Sequence, residues 1–143
     1  MGVDVLVNLA TAHEAPQTNL GDRIEHPLGV YEYVRFESNV SANAVVAINP
    51  NNVAAAATNT STGRIGVCPY AVTASAASPR YGWVLRRGRA TALASAGAAG
   101  GVCFLTTTAG TLGTTGTTLG NVRFVTDASG GSATVIFPEP VAL

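Results

Sequence analysis

RYGWVLRRGRATAL, residues 80–93, is the stretch on which the fold of this chain turns. Its first half alternates as an extended strand does. Tyr81, Trp83 and Leu85 fall on one face, and Gly82, Val84 and Arg86 on the other. The same residues carry Arg80, Arg86, Arg87 and Arg89. Arginines interleaved with aromatic rings suit a surface on which bases stack. They equally suit a β-strand that buries its rings and turns its arginines toward water or a neighbouring subunit. A single Trp alternating with Leu reads as core. Gly88 reads as the bulge or bend that ends the strand. The spacing predicts strands over 81–87 and 89–94, with Arg86, Arg87 and Arg89 at the turn between them. Arg86 and Arg87, being adjacent, then point to opposite faces.

Working outward, similar short runs recur between Gly, Asn, Ser and Pro. VYEYVRFE (30–37) alternates Val30, Glu32, Val34 and Phe36 against Tyr31, Tyr33, Arg35 and Glu37. After a turn at 38–43, AVVAI (44–48) reads as the returning strand of a hairpin. Further strands are predicted over 3–9, 64–69, 102–106, 121–126 and 132–137. The alanine runs in 52–63 and 90–101 lack a stripe of large apolar residues, so they read as loops or a short turn rather than helices. The threonine- and glycine-rich 106–120 reads as a solvent-facing β-excursion or loop. The architecture implied is all-β: a compact sandwich or barrel of about 8–10 short strands, with little or no helix and extended N- and C-terminal segments. Residues 1–27 form an N-terminal strand or arm and an irregular segment, 28–137 the β-domain, and 138–143 an extended tail. In that tail Pro138 and Pro140 bar strand pairing.

Composition narrows the function. The chain has 143 residues, eight basic and eight acidic, and a formal net charge of zero. All eight basic residues are arginine. Nucleic-acid binders draw most of their affinity from neutralising phosphate, and a neutral chain has no basic excess to spend on it. Without lysine there is no phosphate-loop lysine and no Schiff-base lysine. Only 11 % of residues are charged, which suits a surface given over partly to other protein. No run approaches 18 uninterrupted apolar residues, so no membrane span is expected. The first ten residues carry Asp4 and Asn8 and no basic start, so no secretory signal is expected either.

Catalytic constellations are sparse. His13 and His26 stand beside Glu14 and Glu25, without a helical metal-ligand spacing. No GxSxG elbow occurs. Cys68 and Cys103 lie in apolar runs and read as buried thiols, a disulfide between them being the alternative. Neither an enzyme nor a cofactor is expected. Arginine is the preferred cation of bidentate protein–protein pairs. Arg80, Arg86, Arg87 and Arg89, with Glu32 and Glu37 as acceptors and Pro138 and Pro140 in the tail, are therefore the candidate interface with a neighbouring subunit or partner protein.

The order of these pieces resembles a known family. Tyr31–Val34, Val45–Ile48, Gly63–Val67, Tyr81–Ala90 and Leu105–Leu112 follow one another as in the small head-decoration (cement) proteins of tailed bacteriophages. The likeness covers about 28–137, and YGWV…G is its most specific part. It implies a homotrimeric structural protein of the virion, made in the host cytoplasm. Such a protein binds the outer surface of the expanded capsid and clamps adjacent subunits of the major capsid protein. No nucleic acid or membrane partner is implied. The alternative is another virion β-module, a head fibre or glycan-binding domain, which would present Tyr31, Tyr33 and Trp83 together to solvent.

Overall fold

A computed structural model describes Leu9, residues 11–27 and residues 29–143. The strand expected over 3–9 lies outside the described residues except for Leu9. Among the described residues there is no helix. Eleven strands form among them: β1 (Arg23–His26), β2 (Gly29–Phe36), β3 (Ala44–Ile48), β4 (Val53–Ala56), β5 (Arg64–Cys68), β6 (Arg80–Leu93), β7 (Val102–Leu105), β8 (Leu112–Gly113), β9 (Thr117–Phe124), β10 (Ser132–Phe137) and β11 (Val141–Ala142). The all-β expectation holds.

Strands β2, β4, β3, β5 and β6 are hydrogen-bonded in that order, and β6 pairs back onto β2 to close a five-stranded barrel. β4 runs parallel to β2, through Arg35↔Val53 and Phe36↔Ala54. The second half of β6 leaves the barrel and pairs with β10, and the sheet continues through β9 and β7 to β8. A bridge between Ala94 and Leu112 then returns from β8 to the end of β6. β6 thus belongs to two β-layers.

The barrel interior holds Val34, Phe36, Ala44, Val46, Ile48, Ala54, Cys68 and Val84, capped at one end by Tyr70, Val40 and Val72. The outer face of the barrel packs Tyr31, Tyr33, Ile65, Val67, Trp83 and Leu85 against Leu105, Leu119, Phe124, Val135 and Phe137 of the second layer. Both faces of β2 and of the first half of β6 are therefore buried. This is why Tyr31 to Val34 and Gly82 to Arg86 show no exposed side between them.

The two strands expected over 81–87 and 89–94 are one. Gly88 does not end β6. Instead Val30 pairs with Arg87 while Tyr31 pairs with Leu85, so Arg86 is an extra residue opposite β2. Such a bulge shifts the alternation by one. Before it, Trp83 and Leu85 face the shared core; after it, Ala92 and Ala94 do. Arg86 and Arg87 consequently do not lie in a regular alternation. At Gly29, which pairs with Gly88, a Cβ would sit 2.0 Å from the Arg87 carbonyl oxygen, so only glycine permits this close passage.

Three other expectations change. Residues 53–56, read as loop, form β4, because a narrow barrel interior has room there only for small side chains such as Ala54. The irregular part of 1–27 contains β1, which pairs with β2 in a hairpin. Within 106–120, Leu112–Gly113 and Thr117 onward are strand, as a β-excursion has it, but Gly110, Leu112, Gly113 and Leu119 are buried rather than solvent-facing.

The tail 138–143 is extended, but it is not free. Pro138 and Pro140 are exposed and bracket the turn out of β10, and Val141–Ala142 then pairs antiparallel with β5. Leu143 and Gly63 exchange backbone hydrogen bonds of 2.8 and 2.9 Å. Deleting 138–143 is therefore expected to destabilise the fold by about 2–4 kcal/mol, the sum of several hydrogen bonds and a half-buried valine. Thermal melting followed by circular dichroism checks this, and an unchanged midpoint would mean that the tail is a loose arm after all.

Candidate interaction surface and the buried arginine cluster

Glu32 shares a strand face with Val34 and Phe36, so it points into the barrel and is only 1 % exposed. Arg86 enters the same end and is 2 % exposed. Its Nη1 donates to Glu32 Oε1 at 2.7 Å, its Nε to the Ile65 carbonyl at 2.9 Å and its Nη2 to the Val141 carbonyl at 3.1 Å. The cause is topological. β5 and β6 pair at Val67↔Leu85, and β11 takes up the pairing of β5 at Ile65 and Arg64. Where the strands part, the guanidinium of the bulge residue supplies donors to β2, β5 and β11 together. Burial draws the Arg86 pKa down from its ordinary value, and the Glu32 carboxylate opposes that shift.

Two more arginines complete the cluster. Arg23 Nε donates to Glu32 Oε1 at 3.2 Å. Arg64 Nη2 stands 2.8 Å from Glu32 Oε2. That contact is an ion pair rather than a directed hydrogen bond, since Oε2 receives none and Nη2 donates to Asn52 Oδ1. One carboxylate thus holds three guanidiniums.

Of the residues expected at an interface, Glu32 and Arg86 are corrected. Each satisfies the other inside one chain, and neither is available to a neighbour. Glu37 pairs with Arg35 Nε at 2.9 Å, on the surface. Arg80 is partly exposed, 3.8 Å from Glu14 and bonded to the Pro79 carbonyl at 3.1 Å. Only Arg87 and Arg89 are exposed strand residues, and neither has a carboxylate within 4.0 Å among the described residues. Arg87 lines a cleft of about 370 Å³ with Glu25, His26, Pro27, Gly29, Val30 and Gly88. The sequence reading missed Arg123 of β9, which lies two strands from Arg89 in register with it through Ile136. No run of basic residues marks Arg123, and only the pairing reveals it.

The remaining chemistry-bearing residues stand apart. His13 Nδ1 is 3.2 Å from the Tyr33 hydroxyl, which also accepts from the Gln17 amide at 3.1 Å. The two rings stack at 6.2 Å. His26 sits edge-on to Tyr31. No group of three or more His, Cys, Asp or Glu able to hold a metal ion occurs among the described residues.

Burial of His13, whose Nε2 has no partner, holds its pKa below the ordinary 6.5. The fold therefore favours the neutral ring. That contribution is fully present above pH 6.5 and is lost as pH falls below it. Melting temperatures are expected to fall between pH 7 and 5, with a shallower slope in H13Q.

Cys68 and Cys103 are free and buried, and burial pushes both thiols up to about 12. Both are expected to be inert to a thiol-specific reagent at pH 8 and to react together on unfolding in denaturant. Rapid modification of the native protein would contradict this placement.

No helix among the described residues is long and apolar enough to cross a membrane. No protein-family model matches the chain, and no curated protein is significantly similar to it.

Proposed function

We propose that this chain is a structural, non-enzymatic virion protein that binds the outer surface of a phage capsid as a homotrimer and stabilises the expanded shell. The observation that carries this reading is where the resembling segments lie. Tyr31–Val34, Val45–Ile48, Gly63–Val67 and Tyr81–Ala90 fall on or at the start of β2, β3, β5 and β6, four of the five barrel strands, and Leu105–Leu112 runs from the end of β7 through a loop to β8. Four of the five resembling segments therefore follow the frame of the barrel. Neutral charge and two buried free thiols among the described residues support a role in which the protein binds rather than reacts.

The mechanism is mass action. A ligand that binds the expanded lattice alone stabilises it by about 2.7 kcal/mol per site at a hundredfold excess over Kd. Summed over many sites, that resists internal pressure from packaged genome. The alternative of a glycan-binding module loses its main support, because Tyr31, Tyr33 and Trp83 are 7 %, 0 % and 4 % exposed. Cosedimentation of the purified protein with expanded and unexpanded shells of the encoding phage tests the proposal. Binding to the expanded form alone is expected, and equal binding to both would refute it.

A further inference from the structure

The eight arginines divide in two. Arg23, Arg64 and Arg86 pair with Glu32, Arg35 with Glu37, and Arg80 with Glu14. Arg87, Arg89 and Arg123 have no carboxylate within 4.0 Å among the described residues. These three share one sheet face. Arg89 pairs with Ile136, Ile136 with Arg123, and Arg123 with Val102, so the four side chains form one row across β6, β10, β9 and β7. At a strand spacing of about 4.8 Å the two arginines of the row lie roughly 10 Å apart with half-buried Ile136 between them. Arg87 stands two residues along β6 from Arg89, beyond the bulge, and so on the same face. The opposite face of this sheet is filled by Leu105, Phe124, Val135 and Phe137, which fixes the row toward the outside. The nearby acid Glu139 bonds Asn121 rather than an arginine.

We infer that this face, centred on Arg89, Ile136 and Arg123, docks a carboxylate-rich surface of a partner protein. A mixed patch of arginine around an aliphatic centre has the composition of a protein interface. Exposed Glu25 lines the cleft beside Arg87, but across the Arg89–Ile136–Arg123 row two copies of this chain face to face would set arginine against arginine, so this row calls for an acidic partner. Three cations on a formally neutral chain release too few counterions to hold nucleic acid at physiological salt. The inference rests on the sheet face alone and stands even where the capsid reading fails.

The test uses the full chain and a fluorescent decaglutamate peptide, with a ten-nucleotide oligothymidine and decalysine as comparison probes, followed by anisotropy at low and physiological salt. Saturable binding of decaglutamate is expected, weakened at least tenfold in R87Q/R89Q/R123Q and about threefold in R87Q/R89Q. The double variant leaves the Arg123 contacts to the β9 backbone intact, so it reads out even where the triple variant misfolds. R80Q should bind as the unmodified chain does. Absent binding, equal loss in R80Q, or tighter binding of oligothymidine than of decaglutamate would each overturn the inference.

Discussion

Replacing Glu32 with alanine is expected to remove about 3–5 kcal/mol of stability, because it leaves the Arg86 guanidinium buried without a counter-ion. A domain of this size has about 5–15 kcal/mol in all, so the melting point should fall by about 10–15 °C. Arg86→Ala should cost nearly as much. It spares two of the three ion pairs on Glu32, but it strips hydrogen bonds from the Ile65 and Val141 carbonyls and opens a cavity in the barrel mouth. Because the two groups satisfy one another, the double variant should be less destabilised than the sum of the singles by about 1–3 kcal/mol. Arg23→Ala, at 51 % side-chain exposure, should cost under about 1 kcal/mol. Denaturant titration of the four proteins measures this, and additive single effects would show that the buried pair does not exist in solution.

The second large effect is expected at Gly82. Its position in β6 is occupied from inside the barrel by Tyr70, whose hydroxyl donates to the Trp83 carbonyl at 2.7 Å. A Cβ on residue 82 would lie 2.1 Å from that hydroxyl and 3.0 Å from the ring carbon bearing it. Gly82→Ala must therefore push a buried tyrosine out of the barrel end, at a cost of about 2–4 kcal/mol. Tyr70→Phe alone loses one hydrogen bond and leaves the Trp83 carbonyl unsatisfied, about 1–2 kcal/mol. Combining them removes the clashing oxygen, so the pair should be less destabilised than Gly82→Ala alone. A strictly additive pair would place Tyr70 elsewhere.

Much of the barrel was legible because short runs of β-branched and aromatic residues between turn residues mark strands. VYEYVRFE and AVVAI mark β2 and β3, whereas the two strands expected over 81–87 and 89–94 are the single β6, Arg80–Leu93. Glu32 carried a signal in plain view: it shares a face with Val34 and Phe36, and a carboxylate on a buried face needs a cation. Its partner was hidden by the bulge. An extra residue has no sequence signature of its own, and Gly88 nearby offers a simpler reading that puts Arg86 at a turn. β4 escaped because alanine in a tight barrel resembles alanine in a loop. β11 escaped because two prolines forbid pairing only at their own positions, not at Val141 and Ala142. The arginine face was half legible: Arg87 and Arg89 stand out in sequence, whereas Arg123 joins them only through cross-strand register.

The claim that this protein stabilises a mature shell is tested most directly by calorimetry of expanded, undecorated shells melted at increasing concentrations of the chain. Mass action predicts a shell melting temperature that climbs with the logarithm of the concentration above Kd, while unexpanded shells melt unchanged. A melting temperature of expanded shells that stays constant up to saturating protein would contradict it.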